Sequence, residues 1–114
     1  MWLADLQYFS RRGGGANGVL RIVEPFYSFK AGDRFIMVHV PNSAVEVTLP
    51  DVASLPFGDT VAVKDVAGTA LTHNIVIKTA SPLQKIDGQD TFTLKWNYSG
   101  AEFITDGYNW FLSP

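Results

Sequence analysis

Val45-Glu46-Val47-Thr48-Leu49 puts Val45, Val47 and Leu49 on one side of an extended chain and Glu46 and Thr48 on the other. Alternation with a period of two marks a β-strand with one buried face. Thr91-Phe92-Thr93-Leu94-Lys95-Trp96 repeats the pattern, with Phe92, Leu94 and Trp96 on one side, and this parity assigns Trp96 to the core. Phe35-Ile36-Met37-Val38-His39-Val40 is apolar on both sides, which suits a strand between two packed layers. Further strands are predicted over 60–66, 74–78, 102–105 and 109–112, with 19–23 as the first and 26–29 as a short second one.

Turn residues punctuate these runs. Pro41-Asn42-Ser43, Pro50-Asp51, Phe57-Gly58-Asp59, Ala67-Gly68, Ser81-Pro82, Asp87-Gly88, Ser99-Gly100 and Asp106-Gly107 all fall between strand candidates. Glycine supplies positive φ at such places, and Asp, Asn and Ser bond their own backbones there. Asp106-Gly107 reads as the tight turn of a hairpin. Val52–Leu55 is expected to form a single helical turn before Pro56, and no longer helix is expected after residue 18. Short strands with turns every 8–12 residues predict an all-β fold, an antiparallel β-sandwich of jelly-roll-like character.

The first 18 residues differ. Gly13–Gly18 holds four glycines in six positions, so 1–18 reads as an N-terminal arm and linker and 19–114 as the domain. The arm carries Trp2, Leu3, Leu6, Tyr8 and Phe9, more apolar side chains than a solvated tail supports. A short helix or an extended arm could each present them. A neighbouring chain is their expected partner, with Arg11 and Arg12 beside them.

Composition narrows the function. With 46% hydrophobic and 13% aromatic residues the chain is a folded protein. It has no cysteine, which excludes disulfides and thiolate metal sites. A net charge of −2, with no basic run beyond Arg11-Arg12, argues against nucleic-acid binding. No apolar run approaches the roughly 20 residues of a membrane helix, and the N-terminus does not read as a signal peptide.

Catalytic chemistry is weakly represented. Asp33, Asp59, Asp87 and Asp106 adjoin glycines, which is turn chemistry and not the acid pair of a glycosidase. Asp87-Gly88-Gln89-Asp90 lacks the twelve-residue calcium loop. His39 and His73 have no Gly-x-Ser-x-Gly elbow to serve, and Gly13–Gly18 lacks the Gly-Lys-Ser/Thr ending of a phosphate loop. No enzyme activity, cofactor or metal is expected. The triplet Asn97-Tyr98-Ser99 fits a glycosylation acceptor but is common by chance. Among the aromatics of the last third, Tyr98 and Tyr108 lie by turns and are the candidates for surface contacts.

The order of motifs resembles a small β-domain of bacteriophage virion proteins, found in tail fibres, tailspikes and capsid decoration proteins. It runs through Val47-Thr48-Leu49-Pro50, Gly58–Asp65, Asn74–Ile77, Ile86-Asp87-Gly88 and Asp106–Trp110, and covers about residues 33–112. The resemblance implies a structural protein of the phage particle surface, commonly a homotrimer. A domain nearly alone behind a short arm favours a decoration (cement) protein bound to capsid subunits. The alternative is a tail-fibre or tailspike module that binds a receptor glycan.

Overall fold

The computed structural model describes residues 16–113. After a 3-10 turn at Ala16–Gly18 come nine strands: β1 (Val19–Ile22), β2 (Phe26–Ser28), β3 (Phe35–Val38), β4 (Val45–Thr48), β5 (Thr60–Asp65), β6 (Ile75–Lys78), β7 (Thr91–Leu94), β8 (Gly100–Thr105) and β9 (Trp110–Leu112). The helical turn expected before Pro56 is a 3-10 turn at Val52–Ser54, where the Asp51 carboxylate accepts from the Ala53 N–H. Among the described residues no helix is long and apolar enough to cross a membrane.

The strands form two mixed sheets, ordered β1-β3-β5-β8-β9 and β2-β4-β6-β7. The chain alternates between them through β6, so each strand pairs with the one two places earlier. β1–β3, β3–β5, β2–β4 and β4–β6 are all parallel. Only β6–β7, β5–β8 and β8–β9 are antiparallel. The all-β expectation holds, but the antiparallel one is corrected. Period-two alternation shows that a segment is a strand but not which way its neighbour runs. Because each connection here leads to the other sheet, the chain completes a revolution and returns in its original direction. β1–β2, β3–β4 and β5–β6 are thus three stacked coils, and β7, β8 and β9 close one end of the stack.

Both sheets feed one hydrophobic core. Ile22, Ile36, Val38, Val61, Val63, Phe103 and Trp110 enter it from the five-stranded sheet, and Val45, Val47, Ile75, Ile77 and Leu94 from the other. Phe92 meets Phe103 edge-on at 6.0 Å between ring centroids, and edge-to-face packing suits the aromatic quadrupole. Trp96 is not part of this core. β7 ends at Leu94, and a turn closed by the Ser99 N–H on the Trp96 carbonyl swings the indole out, 69% exposed. Trp110 is the fully buried tryptophan.

The connections gather at two rims. One carries 23–25, 39–44, 66–74 and 95–99; the opposite rim carries 29–34, 49–59, 79–90 and 106–109. Carboxylates tie them off. At the first rim Asp65, 1% exposed, accepts from the N–H groups of Ala67, Gly68, Ala70 and Tyr98 at 3.0–3.1 Å. At the opposite rim Asp33 accepts from the Tyr27 hydroxyl at 2.5 Å and the Lys30 N–H at 2.8 Å. Burial, then the hydrogen bond and charge of Asp33, push the Tyr27 hydroxyl above the ordinary tyrosine range. Arg34 grips Asp59 with both nitrogens, at 2.9 and 2.7 Å, and so links the connection after β2 to the one after β4.

Burial alone would raise the Asp65 carboxyl, but the four backbone donors outweigh it and hold the group below the usual carboxylate range. A carboxylate that is more acidic folded than unfolded stabilises the fold above its unfolded value near pH 4 and loses that effect as the pH falls below it. Asp65→Ala leaves four backbone N–H groups, that of buried Ala70 among them, without their acceptor and is expected to lower the unfolding free energy by about 3 kcal/mol at pH 7, read from urea unfolding. Asp65→Asn is expected to be milder and to flatten the stability profile below about pH 4.

Candidate interaction surfaces

The outward faces of the two sheets have different chemistry. On the four-stranded sheet, register aligns Phe26, Glu46, Val76 and Thr93 in one row and Ser28, Thr48, Lys78 and Thr91 in the next. Glu46 and Lys78 form an ion pair across it at 2.6 Å. Threonines and a solvated ion pair are what water-facing strands carry, and Phe26, 72% exposed, and Val76 are the apolar members of this face.

On the five-stranded sheet one row reads Val19, Phe35, Ala62 and Glu102, and the next Arg21, Met37, Lys64 and Gly100. A third adds Thr60, Ile104 and Phe111. Val19, Phe35 and Phe111 are exposed, Phe35 by 37%, and Met37, Ala62 and Ile104 are half-buried. A shallow depression of about 330 Å3 crosses this face, lined by Phe35, Ala62, Lys64, Gly100, Glu102 and Ser113. Gly100 keeps it open, since a Cβ there would come within 3.0 Å of the Lys64 side chain. Lys64 lies across it and donates to the Tyr98 carbonyl. The two-sided apolar pattern of Phe35–Val40 was the sequence signal for this surface. Its second side meets no packed layer among the described residues.

The two surface-aromatic candidates are both exposed, Tyr98 by 60% and Tyr108 by 77%, but β8 separates them. Tyr98 precedes the strand at one rim and Tyr108 follows it at the other. A six-residue strand spans about 20 Å, so the two rings do not form one site. Tyr98 sits at φ 62 with its ring over Gly68, where a Cβ would lie 2.5 Å from the ring. The Asp65 carboxylate holds the Tyr98 N–H, and Asn97 accepts from the Leu71 N–H at 3.0 Å. Exposed Trp96 and Leu71 share this rim, with a hollow of about 240 Å3 beside Trp96 lined by Phe92, Lys95 and Ser99. Tyr108 stands on the β8–β9 turn. There the Asn109 and Tyr108 N–H groups bond the Asp106 carboxylate and hold it below its ordinary range.

The arm candidates Trp2, Leu3, Leu6, Tyr8, Phe9, Arg11 and Arg12 lie outside the described residues. His39 and His73 are half-buried on different connections of the first rim. Asp87 accepts from the Leu112 N–H at 3.3 Å, and Asp90 pairs with Lys85 at 2.5 Å. Among the described residues no group of three or more His, Cys, Asp or Glu is placed to hold a metal ion. Compared with known proteins, the chain matches no protein-family model and no curated protein.

The Gly68–Tyr98 contact yields a direct expectation. Gly68 has φ 77, and Gly68→Ala adds both backbone strain and a clash with the ring. The substitution is expected to lower stability by about 2 kcal/mol in denaturant unfolding. Gly88→Ala, at φ 80 but with open space around it, is expected to lose about half of that.

Proposed function

We propose that this chain is a structural protein of a bacteriophage particle that acts by association and breaks no bonds. In this reading it forms a homotrimer at the virion surface and decorates the capsid, binding shell subunits as a cement protein. The finer description of the fold, a β-sandwich with an N-terminal arm, belongs to the same reading. The observation that carries it is the outward face of the five-stranded sheet, with Val19, Phe35, Met37, Ala62, Ile104 and Phe111 in adjacent rows. Parallel ladders are characteristically covered on both faces. Three of the five strands here are parallel and covered by the core on one face only. Apolar side chains turned outward in adjacent rows, with Arg21, Lys64 and Glu102 among them, are what subunit interfaces present. A closed symmetric assembly covers them without leaving a sticky face.

A second reading, a tail-fibre or tailspike module that binds a receptor glycan, is favoured by exposed Trp96 beside the 240 Å3 hollow, with Tyr98 exposed on the same rim. The apolar face of a sugar ring stacks on exposed indole and phenol rings.

Sedimentation equilibrium of the full chain at tens of micromolar is expected to give three times its 12.5 kDa mass. Phe35→Asp is expected to give a folded monomer, whereas Thr93→Asp on the opposite sheet leaves the mass unchanged. A monomeric wild-type protein would remove the basis of the proposal. The trimer is further expected to co-sediment with capsids of the phage that encodes it. Binding to purified polysaccharide without capsid binding would move the assignment to the second reading.

A further inference from the structure

Trp96 is an indole that the fold holds in water, 69% exposed, on a turn tied down at each end and between. The Ser99 N–H closes the turn on the Trp96 carbonyl at 3.0 Å. The Asn97 side chain accepts from the Leu71 N–H, the Tyr98 N–H donates to the Asp65 carboxylate, and Lys64 donates to the Tyr98 carbonyl. Tyr98 itself sits at φ 62, a left-handed conformation that side chains other than glycine rarely adopt, and such backbone gathers at binding sites. A ring on a turn fixed in this way has little freedom left to lose when a ligand covers it.

The hollow of about 240 Å3 beside the indole is smaller than the pockets of drug-sized ligands, roughly 300–1,000 Å3, and suits a single ring. Thr93, Lys95 and Ser99 bring two hydroxyls and an ammonium to its lining. The Ser99 hydroxyl is buried and has no hydrogen-bond partner among the described residues. Its rotation about χ1 therefore breaks no bond of the protein, and a ligand hydroxyl can satisfy it.

The charge around the hollow is positive although the chain carries a net −2. Among the described residues no carboxylate pairs with Lys95. The connections 66–74 and 95–99 hold no Asp or Glu, and Asp65 is occupied by four backbone N–H groups. Glu24 belongs to the same rim but to the β1–β2 connection, at the other end of the stack from β7. A protein partner would call for a broad apolar core to the contact. Here one flat ring adjoins hydroxyls and an ammonium. A pyranose has the matching make-up, a face of C–H groups and an edge of hydroxyls, and a carboxylate on it would answer Lys95.

We propose that the hollow beside Trp96 holds one carboxylate-bearing pyranose unit of a polysaccharide. The apolar face of the sugar lies on the indole, its carboxylate meets the Lys95 ammonium, and one of its hydroxyls bonds Ser99. The inference rests on the second reading above, that a glycan is bound, and adds to it the subsite and the sign of the sugar's charge.

Titration of the full chain with trigalacturonate, sialyllactose and neutral cellotriose, followed by NMR of the amide and indole N–H groups, tests it. The Trp96 indole signal, identified by its loss in Trp96→Phe, is expected to shift saturably with an acidic saccharide. That saccharide is expected to bind at least about tenfold more tightly than cellotriose at low salt. The tighter of the two acidic sugars shows whether a hexuronate or a sialate is the source. Lys95→Met is expected to remove the preference, and Trp96→Ala to weaken the acidic sugar by about twentyfold or more. Ser99→Ala is expected to weaken it about threefold without lowering the urea midpoint, since no protein bond is lost. Phe57→Ala removes an 82% exposed ring at the opposite rim and leaves the affinity unchanged. Equal affinity for acidic and neutral sugars overturns the proposal, as does a preference that survives Lys95→Met. Shifts confined to residues away from Trp96 overturn it and leave the second reading standing, whereas no shift with any saccharide overturns both. A Trp96 signal that moves with protein concentration alone puts a second copy on the ring and also overturns it.

Discussion

The chain has three residues, Val23–Pro25, in which to leave β1 and begin β2, and it spends them crossing from one sheet to the other. That crossing governs the rest. A strand that leads into the opposite sheet cannot pair with its immediate successor, so its ladder waits for the strand after next. By then the chain has made a full turn and arrives parallel. The inward side chains of both sheets meet in one core at every revolution. The cost is that each crossing leaves rim backbone that must find its own hydrogen-bond partners.

Carboxylates are the main solution. Asp65 gathers four N–H groups from two connections at one rim, and Asp33, Asp51 and Asp106 each hold one or two at the other. These four aspartates are in this sense backbone ligands. Asp33 and Asp106 adjoin Gly32 and Gly107, which supply positive φ in the turns where such bonds close.

The outer faces record what each sheet meets. The four-stranded sheet turns threonines, an ion pair, Phe26 and Val76 outward, and the five-stranded sheet turns Val19, Phe35, Met37, Ile104 and Phe111 outward. A chain that folds only for itself gains nothing from the second pattern.

The sequence by itself determined that this is a β protein and where nearly all its strands lie, because alternation such as that of Val45–Leu49 is a local consequence of one wet and one dry face. It also determined the turns, since Asp106-Gly107 and Asp51 carry their hydrogen-bond partners within a few residues. It misplaced Trp96, because parity holds only while the strand continues and β7 stops two residues earlier. Strand direction and the separation of Tyr98 from Tyr108 were left to the tertiary structure. Both depend on which sheet the next strand joins, and that is decided by burying two apolar faces against each other across residues far apart in the chain.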